Sequence, residues 1–178
     1  ELVERFSLEA VNHSAAKFDI TKCRWVNQQH IIALPPEEFA AKARPFCLQA
    51  GLPDSGILNE AIATVQTKVQ TLAEVPDKIR FFFHLSMDPE ALAKVQPEAV
   101  ELLSKLADRL EREPVWDGHE LIGVLKAFAK ENGVKMGAVM FPARVALTGL
   151  SGGPDLSAVF SLLGKEESLK RIRAFSLN

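Results

Sequence analysis

The chain has 178 residues, 47% of them hydrophobic, which suffices for one globular domain or two small ones with a real core. Its formal charge is −2 and its pI about 6.1, which excludes an overall positive field toward nucleic acid, so any such contact has to come from a local basic patch. No apolar run is long enough to cross a bilayer and the N-terminus lacks the order of a signal peptide, so a soluble, cytoplasmic protein without a membrane partner is expected.

Residues 1–34 are the least regular part. Leu2, Phe6, Leu8 and Val11 are apolar, and Asn12-His13-Ser14 reads as a loop. Asp19 is placed to cap a short helix with Phe18 and Trp25 as anchors and Lys22 and Arg24 outside. From Pro35 to Gly51 the apolar positions Phe39, Ala43, Phe46 and Ala50 predict a helix with Pro36 in its first turn, and Pro45 predicts a kink or an early end. Cys23 and Cys47 both fall in helical segments and lack metal-ligand spacing. Buried free thiols are therefore expected, with no disulfide and no zinc.

Asp54 or Ser55 caps the next predicted helix, with Ile57, Leu58, Ala61, Ile62, Val65 and Val69 inward and Gln66, Thr67 and Lys68 exposed at its end. Thr71 to Glu74 reads as a capping box, and after Pro76 the residues Ile79, Phe82 and Phe83 supply aromatic core. Asp88 and Pro89 start a short helix with Leu92 and Val95 inward. Pro97 restarts the chain into a helix marked by Ala99, Leu103, Leu106 and Leu110. Asp117, following Trp116, caps a helix that runs through Leu121, Leu125 and Phe128 to Gly133. His84 and His119 have no partners at ligand spacing and read as surface or capping residues.

The stretch from Lys135 to Lys165 organises the rest. Met136, Val139, Met140, Ala143 and Leu147 predict a helix that kinks or restarts at Pro142 and carries Arg144 beyond the bend. Gly149 ends it, Ser151-Gly152-Gly153-Pro154 makes a tight loop, and Asp155 caps a new helix with Leu156, Val159, Phe160 and Leu163 inward. By itself this is an ordinary helix–loop–helix corner beside an arginine. In the last segment Leu169, Ile172 and Phe175 pack, while Lys170, Arg171 and Arg173 face outward as a positive edge that suits phosphate or simply the helix dipole. No strand pattern, phosphate-binding glycine loop, nucleophile elbow or metal signature is present, so the fold class is all-α and no catalytic residue is assigned.

Two groups of residues carry a resemblance. Pro142-x-Arg144-x-Ala146-Leu147-Thr148-Gly149, then Gly153-Pro154, then Leu162-Leu163-Gly164-Lys165-Glu166 and a basic last helix, resembles the C-terminal end of bacterial-type glutamyl-tRNA synthetases. Phe18-Asp19-x-x-Lys22-x-x-Trp25-x-Asn27 resembles the stem-contact segment of glutamyl- and glutaminyl-tRNA synthetases, and the Thr71-Leu72 turn and Arg80-Phe81-Phe82 also look like that family.

The resemblance implies a stem-contact segment at 1–34 and two anticodon-binding helical bundles at 35–96 and 97–178. It implies a class I parent enzyme that joins glutamate to its tRNA using ATP and Mg2+. Both ATP-site signatures of that family, His-x-Gly-His and Lys-Met-Ser-Lys-Ser, are absent, and the chain begins at Glu1 without an initiator methionine. It is expected to be a piece lacking the catalytic domain, inactive alone, with no cofactor of its own. Its expected partner is glutamate tRNA, not DNA, and a monomer is expected.

The resemblance also assigns contacts. Arg144 offers a guanidinium plane for an unstacked base and the loop Gly153, Pro154, Asp155, Leu156 offers backbone groups. Lys68 stands where many of these enzymes place an arginine facing the third anticodon base. Lysine keeps the charge but loses the planar fork, leaving discrimination against glutamine tRNA open. Lys17, Lys22 and Arg24 face phosphates of the stem, and Lys165, Lys170 and Arg171 those near the end. A non-discriminating synthetase and a helical protein-interaction module without nucleic-acid role remain alternatives.

Overall fold

The computed structural model describes residues 6–7 and 17–176. The expectations at Leu2, Leu8, Val11 and the 12–14 loop lie outside the described residues. Among the described residues the chain is all helical. These residues form nine α-helices, in order α1 (Ile20–Ala33), α2 (Pro36–Gln49), α3 (Leu58–Ala63), α4 (Val75–Ile79), α5 (Pro89–Leu92), α6 (Glu98–Glu111), α7 (Gly118–Glu131), α8 (Met136–Thr148) and α9 (Leu156–Ala174). Short 3-10 turns at Gln66–Lys68, Leu72–Glu74 and Arg80–Phe82 join the smaller ones.

Local chemistry sets most boundaries. The Asp19 carboxylate accepts from the N–H groups of Thr21 and Lys22 at 2.9 and 3.1 Å, Asp88 from Glu90 at 3.0 Å, and Asp117 from His119 and Glu120 at 2.9 and 3.0 Å. Each satisfies donors that a helix start leaves without a partner. Helices α2 and α8 run on through Pro45 and Pro142, so neither proline ends or restarts its helix. Packing outweighs the missing hydrogen bond in α8, where Pro142 and its neighbours Val139, Ala143 and Val145 are buried.

Helices α6 to α9 pack against one another. Leu106 and Leu110 from α6, Leu121 and Leu125 from α7, Leu147 from α8 and Phe160 from α9 are fully buried there, each stabilising the fold by about 1.5–3 kcal/mol. Helix α9 changes direction at Gly164, whose φ of 72° and ψ of 174° are non-helical, so 156–163 and 165–174 are two helical segments. The first helical group, α2 to α4 with its 3-10 turns, packs around Phe39, Ile62, Val65 and Ile79, and α6 to α9 form the second.

Several expectations need correction. Phe18 and Trp25 are 78% and 56% exposed instead of anchoring α1, and Cys23 is exposed, because Ile31 is the only buried residue of that helix. What holds α1 is polar. Gln66 is buried and its Nε2 donates to the carbonyls of Ile31 and Leu34 at 2.9 and 2.8 Å, while Asn27 Nδ2 donates to the Gln70 carbonyl at 2.6 Å. Gln66 therefore belongs to the interior and not to an exposed helix end. Helix α3 starts at Leu58 without a side-chain cap, since Asp54 pairs with Arg44. Phe46 is exposed and Cys47, one residue on, takes the interior place, where burial pushes its thiol pKa up. The Thr71 box is one-sided: Glu74 accepts from the Gln70 N–H at 3.1 Å and from the Thr71 hydroxyl at 2.9 Å, and Thr71 caps nothing.

Candidate functional site

The last two turns of α8 carry Arg144 to the glycine loop. Thr148 Oγ1 donates to the Arg144 carbonyl at 2.8 Å and accepts from the Leu150 N–H at 3.1 Å, which fixes the end of the helix. Gly149 then turns the chain with φ of 73°, a conformation open to glycine and costly for other residues. Arg144 Nη1 reaches across the loop and donates to the Pro154 carbonyl at 2.7 Å. Half-burial pulls the guanidinium pKa below its ordinary value, and the neighbouring Asp155 carboxylate opposes that shift. Arginine stays charged throughout the range in which proteins work.

Asp155 occupies the N-cap position of α9, but its side chain accepts no N–H of that helix. Its Oδ1 lies 3.7 Å from Lys68 Nζ instead. Lys68 ends the 3-10 turn Gln66–Lys68, so this pair brings the first helical group to the loop of the second. Arg144, Pro154, Asp155 and Lys68 thus converge on one corner. Gly153 adjoins it with φ of 142°, and nothing stands within 4 Å of the place its Cβ would take. The corner therefore offers a guanidinium, an ammonium, an exposed carboxylate and a backbone that a ligand can approach closely. Pro154 and Leu156 are buried, so their side chains offer no contact surface, and the Pro154 carbonyl already accepts from Arg144.

The basic end is built differently. Arg171 is 6% exposed and does not face outward: Nη1 donates to the carbonyls of Phe81 and Leu147, and Nε to Glu167 Oε1 at 2.8 Å. Its guanidinium is spent on the interior, which removes it from the candidate phosphate contacts. Arg173 bonds Glu111 at 2.7 Å and lies 3.4 Å from Asp108. Lys170 pairs with Glu167 at 3.3 Å. Lys165 donates to the Glu113 carbonyl at 2.9 Å and lies 6.0 Å from the centre of the Trp116 ring. The expected positive edge is largely neutralised by acidic partners.

At the other end Lys17, Lys22 and Arg24 are exposed and enter no ion pair among the described residues. No group of three or more His, Cys, Asp or Glu side chains that could hold a metal occurs among the described residues. Sequence reasoning missed Gln66 and Arg171. For Arg171 a signal existed, because Glu167 and Phe175 lie four residues to either side and put it on a helix stripe that is partly apolar.

With the geometry in place, the comparisons decide the family. A profile described as the anticodon binding domain matches residues 38–176. The chain belongs to this family. As an anticodon binding domain it is 86% identical over 178 residues to the glutamate–tRNA ligase of Akkermansia muciniphila, covering all of this chain and 41% of that protein. It is 36% identical over 177 residues to that of Thermus thermophilus, covering 97% of this chain and 38% of the relative. The chain thus spans about two-fifths of the length of these curated relatives, 41% and 38%. The crystal structure of a glutamate tRNA ligase from Elizabethkingia meningosepticum in complex with its amino acid superposes with a TM-score of 0.81 at 25% identity, covering 96% of this chain and 35% of that one. Among the described residues of this anticodon binding domain, no helix is long and apolar enough to cross a membrane.

Proposed function

We propose that this chain is the tRNA-binding, anticodon-recognising C-terminal part of a glutamate–tRNA ligase. The observation that carries the reading is the corner where Lys68 from one helical group meets Arg144, Pro154 and Asp155 from the other. Unstacked bases are read by stacking on guanidinium planes and by hydrogen bonds to their pairing edges, and this corner holds both kinds of partner. Arg144 supplies the plane, the loop at Gly153 to Leu156 supplies backbone groups, and Lys68 faces the third anticodon base. Lys17, Lys22 and Arg24 meet stem phosphates, which set position and not sequence.

In this reading 1–34 is the stem-contact segment, and 35–96 and 97–178 are the two anticodon-binding bundles. The parent enzyme acts in the cytoplasm as a monomer, and a catalytic domain outside this chain uses ATP and Mg2+ to join glutamate to tRNA.

A second reading, a ligase that also charges glutamine tRNA, is favoured by Lys68, whose ammonium has no planar fork with which to grip a base edge. A salt-series titration against a glutamate tRNA, the same tRNA with its third anticodon base changed, and a glutamine tRNA separates the readings. Preference for the first that survives moderate salt and weakens by about 1–3 kcal/mol in Arg144→Ala is the expected result. Equal binding of the glutamate and glutamine tRNAs, with the altered base rejected, favours the second reading. Weak binding of all three that vanishes with salt reduces the contact to phosphate attraction and overturns anticodon recognition by this chain.

A further inference from the structure

Arg171 belongs to α9 by sequence, but its contacts place it at the joint between the two helical groups. Its Nη1 donates at 2.8 Å to the Phe81 carbonyl, in the 3-10 turn Arg80–Phe82 of the first group. The same nitrogen donates at 2.7 Å to the Leu147 carbonyl, in the last turn of α8 and about one turn beyond Arg144. The joint continues next to it. The Asp88 N–H donates to the Gly149 carbonyl at 2.9 Å, and a Cβ on Gly149 would stand 2.0 Å from the Ser86 carbonyl oxygen. The end of α8 is therefore tied to the segment from Phe81 to Asp88 at two points, and Lys68 and Asp155 lie on opposite sides of the same joint.

We propose that Arg171 is a positioning residue for anticodon recognition: it touches no RNA, and it seats the first helical group against the end of α8 so that Lys68 and Arg144 are presented to one RNA loop. This role rests on the function proposed above. A buried guanidinium is costly unless its donors and charge are satisfied, and here the satisfaction comes from both groups together with Glu167. Hydrophobic packing holds two surfaces together but is not directional. Hydrogen bonds to two carbonyls on two elements fix how one is turned against the other. Lysine at this place keeps the charge and loses the rigid planar donors, so it tests the geometry apart from the electrostatics.

The test uses Arg171→Lys and Arg171→Met in this chain, titrated against the same three tRNAs, with helical content and melting temperature followed alongside. Affinity at low salt and the salt slope are expected to stay near wild type. The preference for glutamate tRNA over the base-changed tRNA is expected to fall roughly two- to thirtyfold, the range seen for residues that couple sites without touching the ligand. Glu167→Gln, which leaves both carbonyl bonds in place, is expected to keep the preference. If Arg171→Met does not fold, Arg171→Lys carries the test. A lowered melting temperature with the preference intact makes Arg171 a purely structural residue and overturns the role. A wild-type chain without preference among the three tRNAs overturns the proposed function first, and this role with it.

Discussion

The corner at Arg144 and the end of α9 carry similar cations and have opposite fates. At the corner, Arg144 has one backbone acceptor and Lys68 faces Asp155 at 3.7 Å, beyond hydrogen-bonding reach. Along α9, Arg171 is buried on two carbonyls and a carboxylate, Arg173 is held by Glu111 and Asp108, and Lys170 by Glu167. Positive residues are thus not the same as positive surface. What decides is whether the fold already supplies the partner. In a chain of net charge −2, cations left under-partnered are the ones available to a polyanion.

The contrast depends on how α8 ends, and Gly149→Ala breaks it most directly. The new Cβ would meet backbone at 2.0 Å while forced to φ of 73°, so both a steric clash and strain act against it. A stability loss of about 3 kcal/mol or more is expected in urea unfolding. Arg144 would also lose its register against the loop, so RNA preference should fall in whatever fraction stays folded. A loss below about 1 kcal/mol would mean that the Ser86 segment gives way easily, and the joint could not then orient the corner.

Much of this was legible before the structure, and the exceptions share a cause. Asp19, Asp88 and Asp117 announced their helices because capping is a local event that spacing reveals. Gly149 and the loop beside Arg144 were legible for the same reason. The family resemblance assigned Lys68 and that loop each to the anticodon, but it did not show that they meet, since no local pattern links residues so far apart in the chain. Phe18 and Trp25 misled because aromatic character speaks for burial on average and says nothing about whether a neighbouring element exists to bury it. Arg171 misled because Lys170, Arg171 and Arg173 look alike in sequence, yet Arg171 shares its stripe with the buried Ser168 and Phe175.

A pH series sharpens the α9 half of the comparison. The hydrogen bond from Arg171, with a smaller one from Lys170, holds the Glu167 carboxyl below its ordinary value of 4.5, against a raising effect of burial. A carboxyl depressed in the folded state stabilises the fold above its unfolded pKa, and that contribution is lost as pH falls through the lower folded pKa. Wild type should therefore be more stable than Glu167→Gln near neutral pH, with the gap closing as the pH drops below 4.5. Denaturant midpoints of the two proteins between neutral and strongly acidic pH check this. A gap independent of pH would mean that the carboxylate charge contributes nothing to seating Arg171.

The smallest effects are expected where the cations of α9 are exposed and already paired. Lys170→Ala removes one surface ion pair and Arg173→Ala two, and exposed pairs of this kind contribute little to stability. Their effect on RNA binding separates the two regions of the molecule more sharply than stability does. A cation that neutralises a phosphate releases counterions, so deleting it lowers the slope of log affinity against log salt by about one. Lys22→Ala and Arg24→Ala, which enter no ion pair among the described residues, should show that drop, while Lys170→Ala and Arg173→Ala should leave the slope unchanged. A drop of about one for Lys170→Ala would mean that phosphate displaces Glu167 from the ammonium. Availability would then be set by competition between acceptors, and the exposed part of α9 would return to the RNA-facing surface.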